Sequence, residues 1–278
     1  MRYTLISETY PPEVNGVALT VQALEQGLRA RGRAVTVIRP RQDSDKQGDA
    51  NTVLVRGVGL PRYPGLQFGL PCVRGLMRIW QEARPDAVYV ATEGPLGWSA
   101  LRAARYLAIP AATGFHTRFD HYARDYGAAF LQGFALRGMR RFHNAGLATL
   151  VPTLQLQQFL QSQGFTNAVR LPRAVDTALF APGRRDHALR AAWGLTDKNL
   201  AVIHVGRIAA EKNLRLAVRA FRQLQTVRPD ARFIWVGDGP LRAKLARDNS
   251  DFVFCGVQRD EDGGAGGGGA IVSRSGCR

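Results

Sequence analysis

A chain of 278 residues, 45% of them hydrophobic, can bury one large core or two modest ones, and at this length two domains are the better expectation. The formal charge is +16, and because the only lysines are Lys46, Lys198, Lys212 and Lys244, arginine dominates; that balance favours anionic partners such as phosphorylated substrates, an acidic membrane surface or nucleic acid. Cys72, Cys255 and Cys277 are odd in number and form no Cys-x-x-Cys pair, which argues against a disulfide framework or a zinc site, while the absence of an apolar run of about eighteen residues or a leader-like N-terminus argues against a membrane span or export signal.

Residues 3–7 form a short apolar run and read as a first buried strand. Pro11-Pro12 and Asn15-Gly16 make a turn, after which Val17, Val21, Leu24 and Leu28 recur at helical spacing, with Gly32 as the stop and residues 34–38 as the second strand. This βαβ pattern with a glycine at its first turn suggests a nucleotide-binding, Rossmann-like half. The turn lacks Gly-x-Gly-x-x-Gly, however, and the second strand ends in Arg39-Pro40 rather than an acidic residue for a ribose, which disfavours a dehydrogenase.

Residues 42–51 are polar and read as a surface loop. Residues 57–71, rich in glycine and proline, read as a loop whose Arg62, Tyr63, Leu66 and Phe68 either pack inward or touch a lipid headgroup. Helices over 73–83 and 95–107 alternate with strands over 86–91 and 109–114, which implies a parallel sheet covered on both faces. Gly114-Phe-His116-Thr117 follows the last of these strands, at the carboxyl edge where open α/β sheets bind ligands, so His116 is a site candidate. Asp120, His121 and Tyr122 lie close behind, without a serine-centred elbow or a metal-binding histidine pair. Residues 130–142 set Leu131, Phe134 and Leu136 beside Arg137, Arg140 and Arg141, either a surface helix with solvated arginines or one that lies on an anionic bilayer. A strand over 147–151, a helix over 154–163 capped by Thr153, and a strand over 169–171 complete the first series, and Ala181-Pro-Gly-Arg-Arg-Asp reads as the linker.

The second series opens on an apolar strand, 200–205, followed by Gly206-Arg207-Ile-Ala-Ala-Glu211-Lys212-Asn and a helical pattern through Leu214, Ala217, Val218 and Phe221. A glycine turn lets a ligand approach the backbone, and the unpaired N–H groups of the helix start attract an anion; Arg207 and Lys212 add two full charges, which suits a diphosphate. A βα loop with solvated basic residues is the competing reading. Residues 232–236 form a strand, Gly237-Asp-Gly239-Pro240 a turn, 241–247 a helix, and 251–254 a third strand.

Taken together, Tyr10-Pro-Pro-Glu-Val-Asn15-Gly16-Val, Gly114-Phe-His116-Thr, Arg173-Ala-Val-Asp176-x-x-x-Phe180, Gly206-Arg207-x-x-x-Glu211-Lys212-Asn213 and Gly237-Asp-Gly239-Pro240 resemble, in order, the motifs of retaining glycosyltransferases of the GT-B fold, family four. The first and third look most like the subgroup that moves mannose or sulfoquinovose onto lipids. The resemblance implies two Rossmann-like doubly wound domains facing across a cleft, and transfer of a mannose-like hexose from a GDP- or UDP-sugar to a lipid or glycan acceptor, with retention and without a metal or other cofactor. It further implies that Arg207 and Lys212 stabilise the departing diphosphate and that His116 bonds the donor sugar. Asn15, Gly16, Gly206 and Glu211 would bind the donor, while Gly237, Gly239, Pro240, Gly256 and Val257 border its base. The expected location is cytoplasmic, peripheral at the inner face of the membrane.

The sequence departs from that family at Ala174, where glycine is usual, and after Glu261, where a glycine run and a short Arg, Ser and Cys tail replace the expected pair of glutamates. The expected division is therefore an acceptor-side domain over 1–180, an incomplete donor domain over 181–261 and a disordered tail over 262–278, as in a C-terminally truncated enzyme. Two other readings remain: a non-catalytic fragment that binds an anionic membrane or a partner through its basic first domain, and a nucleic-acid binder, which no recognisable reading module supports.

Overall fold

The computed structural model describes residues 1–13, 15–42, 45, 51–59, 67–116, 132–172, 177 and 180–257, the side chains of Gln132 and Glu211 excepted. The chain divides into two compact units, Met1–Ala174 and Val175–Arg278, so the division falls six residues before the expected one.

In the first unit, β1 (Arg2–Ile6), α1 (Gly16–Ala30), β2 (Ala34–Pro40) and β3 (Thr52–Val55) are followed by two short strands, β4 (Gly57–Gly59) and β5 (Gln67–Gly69). Then come α2 (Val73–Glu82), β6 (Ala87–Val90), α3 (Pro95–Tyr106), β7 (Ala111–Gly114), α4 (Gln132–His143), β8 (Ala148–Val151), α5 (Leu154–Ser162) and β9 (Ala168–Arg170). Seven of the strands form one parallel sheet in the order β3-β2-β1-β6-β7-β8-β9, the doubly wound order in which the chain reverses direction between β1 and β6. Consecutive residues of β1 serve opposite faces: Leu5 packs with Val21, Val35 and Val37 beneath α1, while Ile6 packs with Leu76, Trp80 and Leu96 from α2 and α3. The helical spacing of Val17, Val21, Leu24 and Leu28 is the stripe that α1 buries. The stretch expected to be a loop over 57–71 contains an antiparallel pair, β4 with β5, which sequence analysis did not anticipate because three-residue strands carry too little alternation to register. Arg62, Tyr63 and Leu66 lie outside the described residues.

A buried carboxylate ties three of these elements together. Glu8, just past β1, accepts hydrogen bonds from the backbone N–H groups of Gly69 and of Leu96 (2.9 Å), and its own N–H donates to Thr92 Oγ1 (2.9 Å). Glu8 thus acts as a remote cap on the N-terminus of α3, whose own N-cap residue, Gly94, has no side chain to offer. The cradle is closely fitted, since a Cβ on Gly94 would lie 2.2 Å from Glu8 Oε1. Burial pushes the Glu8 carboxyl above its ordinary pKa, and the amides of Gly69, Leu96 and Gly97 oppose that rise.

The first elements of the second unit are a 3₁₀ turn (Pro182–Arg184), inside the stretch expected to be a linker, and just after it α6 (His187–Ala192), capped by Asp186. It continues through β10 (Ala201–Val205), a 3₁₀ turn (Ala210–Lys212), α7 (Leu214–Val227), β11 (Arg232–Val236), α8 (Arg242–Asp248) and β12 (Val253–Gly256). Its strands form a parallel sheet in the order β10-β11-β12. Phe233 and Trp235 face α7, while Ile234 and Val236 face Trp193 and Leu195 behind α6. The strand expected over 251–254 lies two residues later. Cys72 carries a free thiol.

The loops after β10 and β11 are joined by backbone hydrogen bonds. Gly206 N–H donates to Val236 O (2.9 Å), Ile208 N–H to Asp238 O (2.9 Å) and Leu241 N–H to Ile208 O (3.1 Å). A Cβ on Gly237 would stand 2.1 Å from Gly206 O, and one on Gly239 2.4 Å from Ile208 O, so no other residue fits either position.

Two outcomes follow for stability, each read from denaturation midpoints. Glu8→Ala leaves buried N–H groups at β5 and α3 without an acceptor and is expected to cost about 2–4 kcal/mol. Gly237→Ala forces two loops apart and is expected to cost roughly 2 kcal/mol or more, whereas Gly183→Ala, with nothing within 4 Å of the added Cβ, is expected to stay within about 0.5 kcal/mol of the parent.

Candidate functional site

In a parallel sheet every strand ends at the same edge, and the predicted site residues of the second unit gather there. Gly206, Gly237 and Gly256 end β10, β11 and β12, and Gly237 N–H donates to Gly256 O (2.7 Å), so three glycine backbones lie side by side. Val257, the last residue described, is exposed next to them. These three glycines, with Gly239, all have positive φ.

The turn after β10 leaves room where the turn after β11 does not. Beside Gly206 a Cβ would meet only His204 Nε2, at 3.8 Å. Arg207 and Lys212 are exposed at either end of that turn, and Asn213, in the left-handed region (φ 49°, ψ 48°), leads into α7 without a side-chain cap. No acidic residue occupies the first turn of α7, so its N–H groups keep their partial positive charge beside two full ones. His204 lies behind the turn with Nε2 buried and without a hydrogen-bond partner; burial and the Lys212 charge push its pKa down and keep the ring neutral. Asp238 Oδ1 accepts from Gly239 N–H (2.7 Å), which fixes the second turn. Gly239 and Pro240, with Trp193, Phe252 and Phe254, line a cavity of about 840 Å³.

In the first unit, Asn15 and Gly16 end the loop after β1 and His116 follows β7, at the same carboxyl edge of one sheet. Asn15 Oδ1 accepts from the N–H groups of Val17 (3.1 Å) and Ala18 (2.9 Å), making it the cap of α1, while its amide donates to Thr9 Oγ1 (2.5 Å). Gly16 has nothing within 4 Å of a notional Cβ, so its surroundings are open. His116 Nε2 is 2.7 Å from the Tyr89 hydroxyl, and a Cβ on Gly114 would collide with both (2.1 Å to Oη, 2.5 Å to Nε2). Glycine is therefore required there so that Tyr89 can reach and orient the ring. At the end of β2, buried Arg39 is held by Asp45 (2.9 and 2.5 Å).

Sequence analysis did not identify Glu8, Tyr89, Glu93 or His143. Buried His143 has Nδ1 2.7 Å from Thr113 Oγ1 and Nε2 3.2 Å from Glu93 Oε1, which links strand β7 and the loop after β6 to the end of α4. Only the position of Glu93 and Tyr89 at a strand end could have signalled them. Thr117, Asp120, His121, Tyr122, the Arg173-to-Asp176 motif, the Glu211 side chain and the tail over 262–278 lie outside the described residues, while Phe180 is exposed. Among the described residues no three His, Cys, Asp or Glu side chains converge as a metal-binding group.

Residues 14–179 match the profile of Glycosyltransferase Family 4. A GDP-mannose-dependent alpha-mannosyltransferase of Mycolicibacterium smegmatis is 32% identical over 266 residues, covering 93% of this chain and 69% of that protein. An alpha-monoglucosyldiacylglycerol synthase of Acholeplasma laidlawii is 28% identical over 261 residues, covering 88% of this chain and 65% of the other. Among solved structures, the sucrose-phosphate synthase of Thermosynechococcus elongatus superimposes with a TM-score of 0.70 at 17% identity, over 92% of this chain and 70% of that one, a likeness of fold that bears out the GT-B expectation. The profile spans most of the first unit and the mannosyltransferase extends through the glycine turns of the second: the chain belongs to Glycosyltransferase Family 4 and is a hexosyltransferase.

Proposed function

We propose that this chain transfers a mannose-like hexose from a nucleotide-sugar, GDP-mannose first among the candidates, to a lipid or glycan acceptor with retention of configuration. The observation that carries the reading is the turn after β10, where an uncapped helix start, an open Gly206 and the cations Arg207 and Lys212 converge. The relative of known donor uses GDP-mannose, and the synthase from Acholeplasma laidlawii, by its name, builds a glycosylated diacylglycerol.

The difficult step is expulsion of a nucleoside diphosphate while positive charge grows on the sugar ring. Charge accumulates on the departing phosphates, and groups fixed before reaction stabilise it at no cost in reorganisation. Arg207 offers a planar fork to two oxygens and Lys212 a point charge, and the α7 N–H groups complete the cradle. Gly239 and Pro240, walling the cavity beside Trp193, are the base-side contacts, with Gly256 and Val257 at the end of the neighbouring strand β12. In the first unit His116, oriented by Tyr89, is the sugar contact, and Gly16 gives the α1 end room for an anion. No metal or other cofactor is assigned to the reaction.

The acceptor side of the reading rests on α4. Leu136, Met139 and Phe142 of that helix pack inward, while Phe134 (76% exposed), Arg137 and Arg141 share the outer face. An exposed ring one turn before two guanidinium groups on the same face fits an anionic bilayer surface, and no described helix is long and apolar enough to cross one. We place the protein peripherally at the cytoplasmic face of a membrane on that ground.

In a thermal-shift panel, GDP and GDP-mannose are expected to raise the melting temperature, UDP compounds less so. Arg207→Ala and Lys212→Ala are each expected to weaken the nucleotide by about 10–100-fold and to slow donor-dependent release of GDP by about 100-fold or more. No shift with any nucleotide, or unchanged binding in both variants, sinks the proposed donor site. For the membrane contact, vesicles containing anionic lipid are expected to sediment the protein and zwitterionic ones not to. The Phe134→Glu/Arg137→Glu double variant is expected to lose that sedimentation with its fold intact; equal pelleting by the variant rules out α4.

A further inference from the structure

A run of side-chain hydrogen bonds through the core of the first unit ends on a carboxylate at the carboxyl edge of its sheet. The Thr149 hydroxyl donates to Asn167 Oδ1 (2.9 Å), Thr113 Oγ1 lies 3.2 Å from Thr149 and 2.7 Å from His143 Nδ1, and His143 Nε2 is 3.2 Å from Glu93 Oε1. A carboxylate only accepts, so Nε2 carries the ring proton, and in the neutral ring Nδ1 accepts from the Thr113 hydroxyl. His143 is fully buried, with the rings of Phe115, Phe142 and Phe165 at 5.0, 5.1 and 5.8 Å from its own. The ring is held on all sides, and it holds Glu93 Oε1 in turn.

The other oxygen of Glu93 is not spent. The side chain is 17% exposed, and Oε2 has no partner among the described residues and stays open to solvent. Val90 of β6 pairs with Thr113 of β7, and Glu93 and His116 lie equally far past these two residues, so the open carboxylate oxygen and the proposed sugar contact leave adjacent strands in the same register. The other neighbour of β6 is β1, across the reversal of chain direction where open sheets take their ligands. Glu8, the carboxylate at the end of β1, is already occupied by the N–H groups of Gly69 and Leu96. Among the described residues, the loops after β1, β6 and β7 bring no arginine or lysine to this edge, and Arg39 at the end of β2 is held by Asp45.

We propose that Glu93 is an acceptor contact of the transfer, taking a hydrogen bond from a hydroxyl of a neutral polyol, and that His143 and Thr113 are its positioning residues. The inference rests on the proposed transfer to a lipid or glycan and narrows the chemistry of that acceptor. An open carboxylate oxygen attracts hydroxyl protons and repels phosphate, and no described cation at this edge offsets the repulsion. The cations of α4 suit the anionic lipids of a bilayer, whereas the molecule glycosylated there is uncharged at its reacting end. A glycerol hydroxyl of a diacylglycerol and a sugar hydroxyl of a glycan share that chemistry.

The test is binding to the intact chain without any donor, followed by calorimetry, with dioctanoylglycerol for the lipid source, octyl mannoside for the glycan source and dioctanoylphosphatidic acid as the anionic probe. One neutral probe is expected to bind, which names the source, and phosphatidic acid is expected not to displace it. Glu93→Gln keeps an acceptor for His143 Nε2 but removes the charge, and is expected to weaken the neutral probe about 10-fold at an unchanged denaturation midpoint. Should that variant not fold, Glu93→Asp, which withdraws the carboxylate by one methylene, decides with the same expectation. Thr113→Val, which takes away the partner of Nδ1, is expected to weaken the probe about 3-fold or more, and Thr113→Ser to restore it. Glu82→Gln, exposed on α2, is expected to change nothing. In turnover, Glu93→Gln is expected to raise the acceptor KM and leave GDP-mannose binding as it was. Failure of every nucleotide to bind, beside a neutral probe that still depends on Glu93, sinks the donor site alone. Equal binding by the Glu93 variant, binding of neither neutral probe, or displacement by phosphatidic acid overturns the acceptor contact. A Thr113→Val chain that is less stable yet binds as the parent does overturns the positioning role.

Discussion

All strands of each parallel sheet point the same way, so the helices that follow them start at one edge and present their positive ends there. What neutralises each end decides what that edge can bind. At α1 the Asn15 side chain accepts two of the free N–H groups. At α3 a carboxylate from another part of the chain, Glu8, does the same from within the core. At α7 the cap residue Asn213 contributes no side-chain hydrogen bond and the first turn holds no acidic residue, while Arg207 and Lys212 lie exposed just before it. The α3 end is thereby made structural, the α1 end is partly satisfied with open space beside Gly16, and the α7 end is left to an external anion.

Glycine serves two opposite purposes at these edges, and the space around each one tells them apart. At Gly237, Gly239 and Gly114 the missing Cβ is replaced by neighbouring protein atoms 2.1 to 2.4 Å from where it would stand, so the residue exists to let chain meet chain. At Gly206 and Gly16 the surroundings are open. The packed glycines hold the loops rigid; the open ones leave backbone accessible on that rigid support. Removing a packed glycine would therefore disturb an open one, because Gly237 sits directly against the carbonyl of Gly206.

The strands and helices that carry a full hydrophobic period were legible in the sequence, often to within two residues: α1 from its stripe of Val17, Val21, Leu24 and Leu28, β11 from an unbroken apolar run. The glycine turns were legible too, as punctuation between those elements. What escaped was short or long-range. β4 and β5 are three residues each, and α6 offers only two turns, too little for a period to show. Glu8 and Leu96 are 88 positions apart, and Glu93 and His143 are 50, so their hydrogen bonds exist only once the sheet order has made them neighbours. Tyr89 was hidden by its setting: between two valines it reads as core, and only the glycine at 114 opens the path that lets its hydroxyl reach His116.

The large positive charge likewise makes sense only once its placement is known. Several arginines are balanced locally, as Arg29 is by Glu25, Arg39 by Asp45, Arg222 by Asp251 and Arg228 by Asp230, and such pairs contribute little beyond local order. The outer face of α4 and the turn before α7 also carry exposed cations, on a segment suited to a surface and on one suited to a phosphate. A uniform coat of arginine would attract every anion equally, whereas this distribution concentrates exposed charge at these two places.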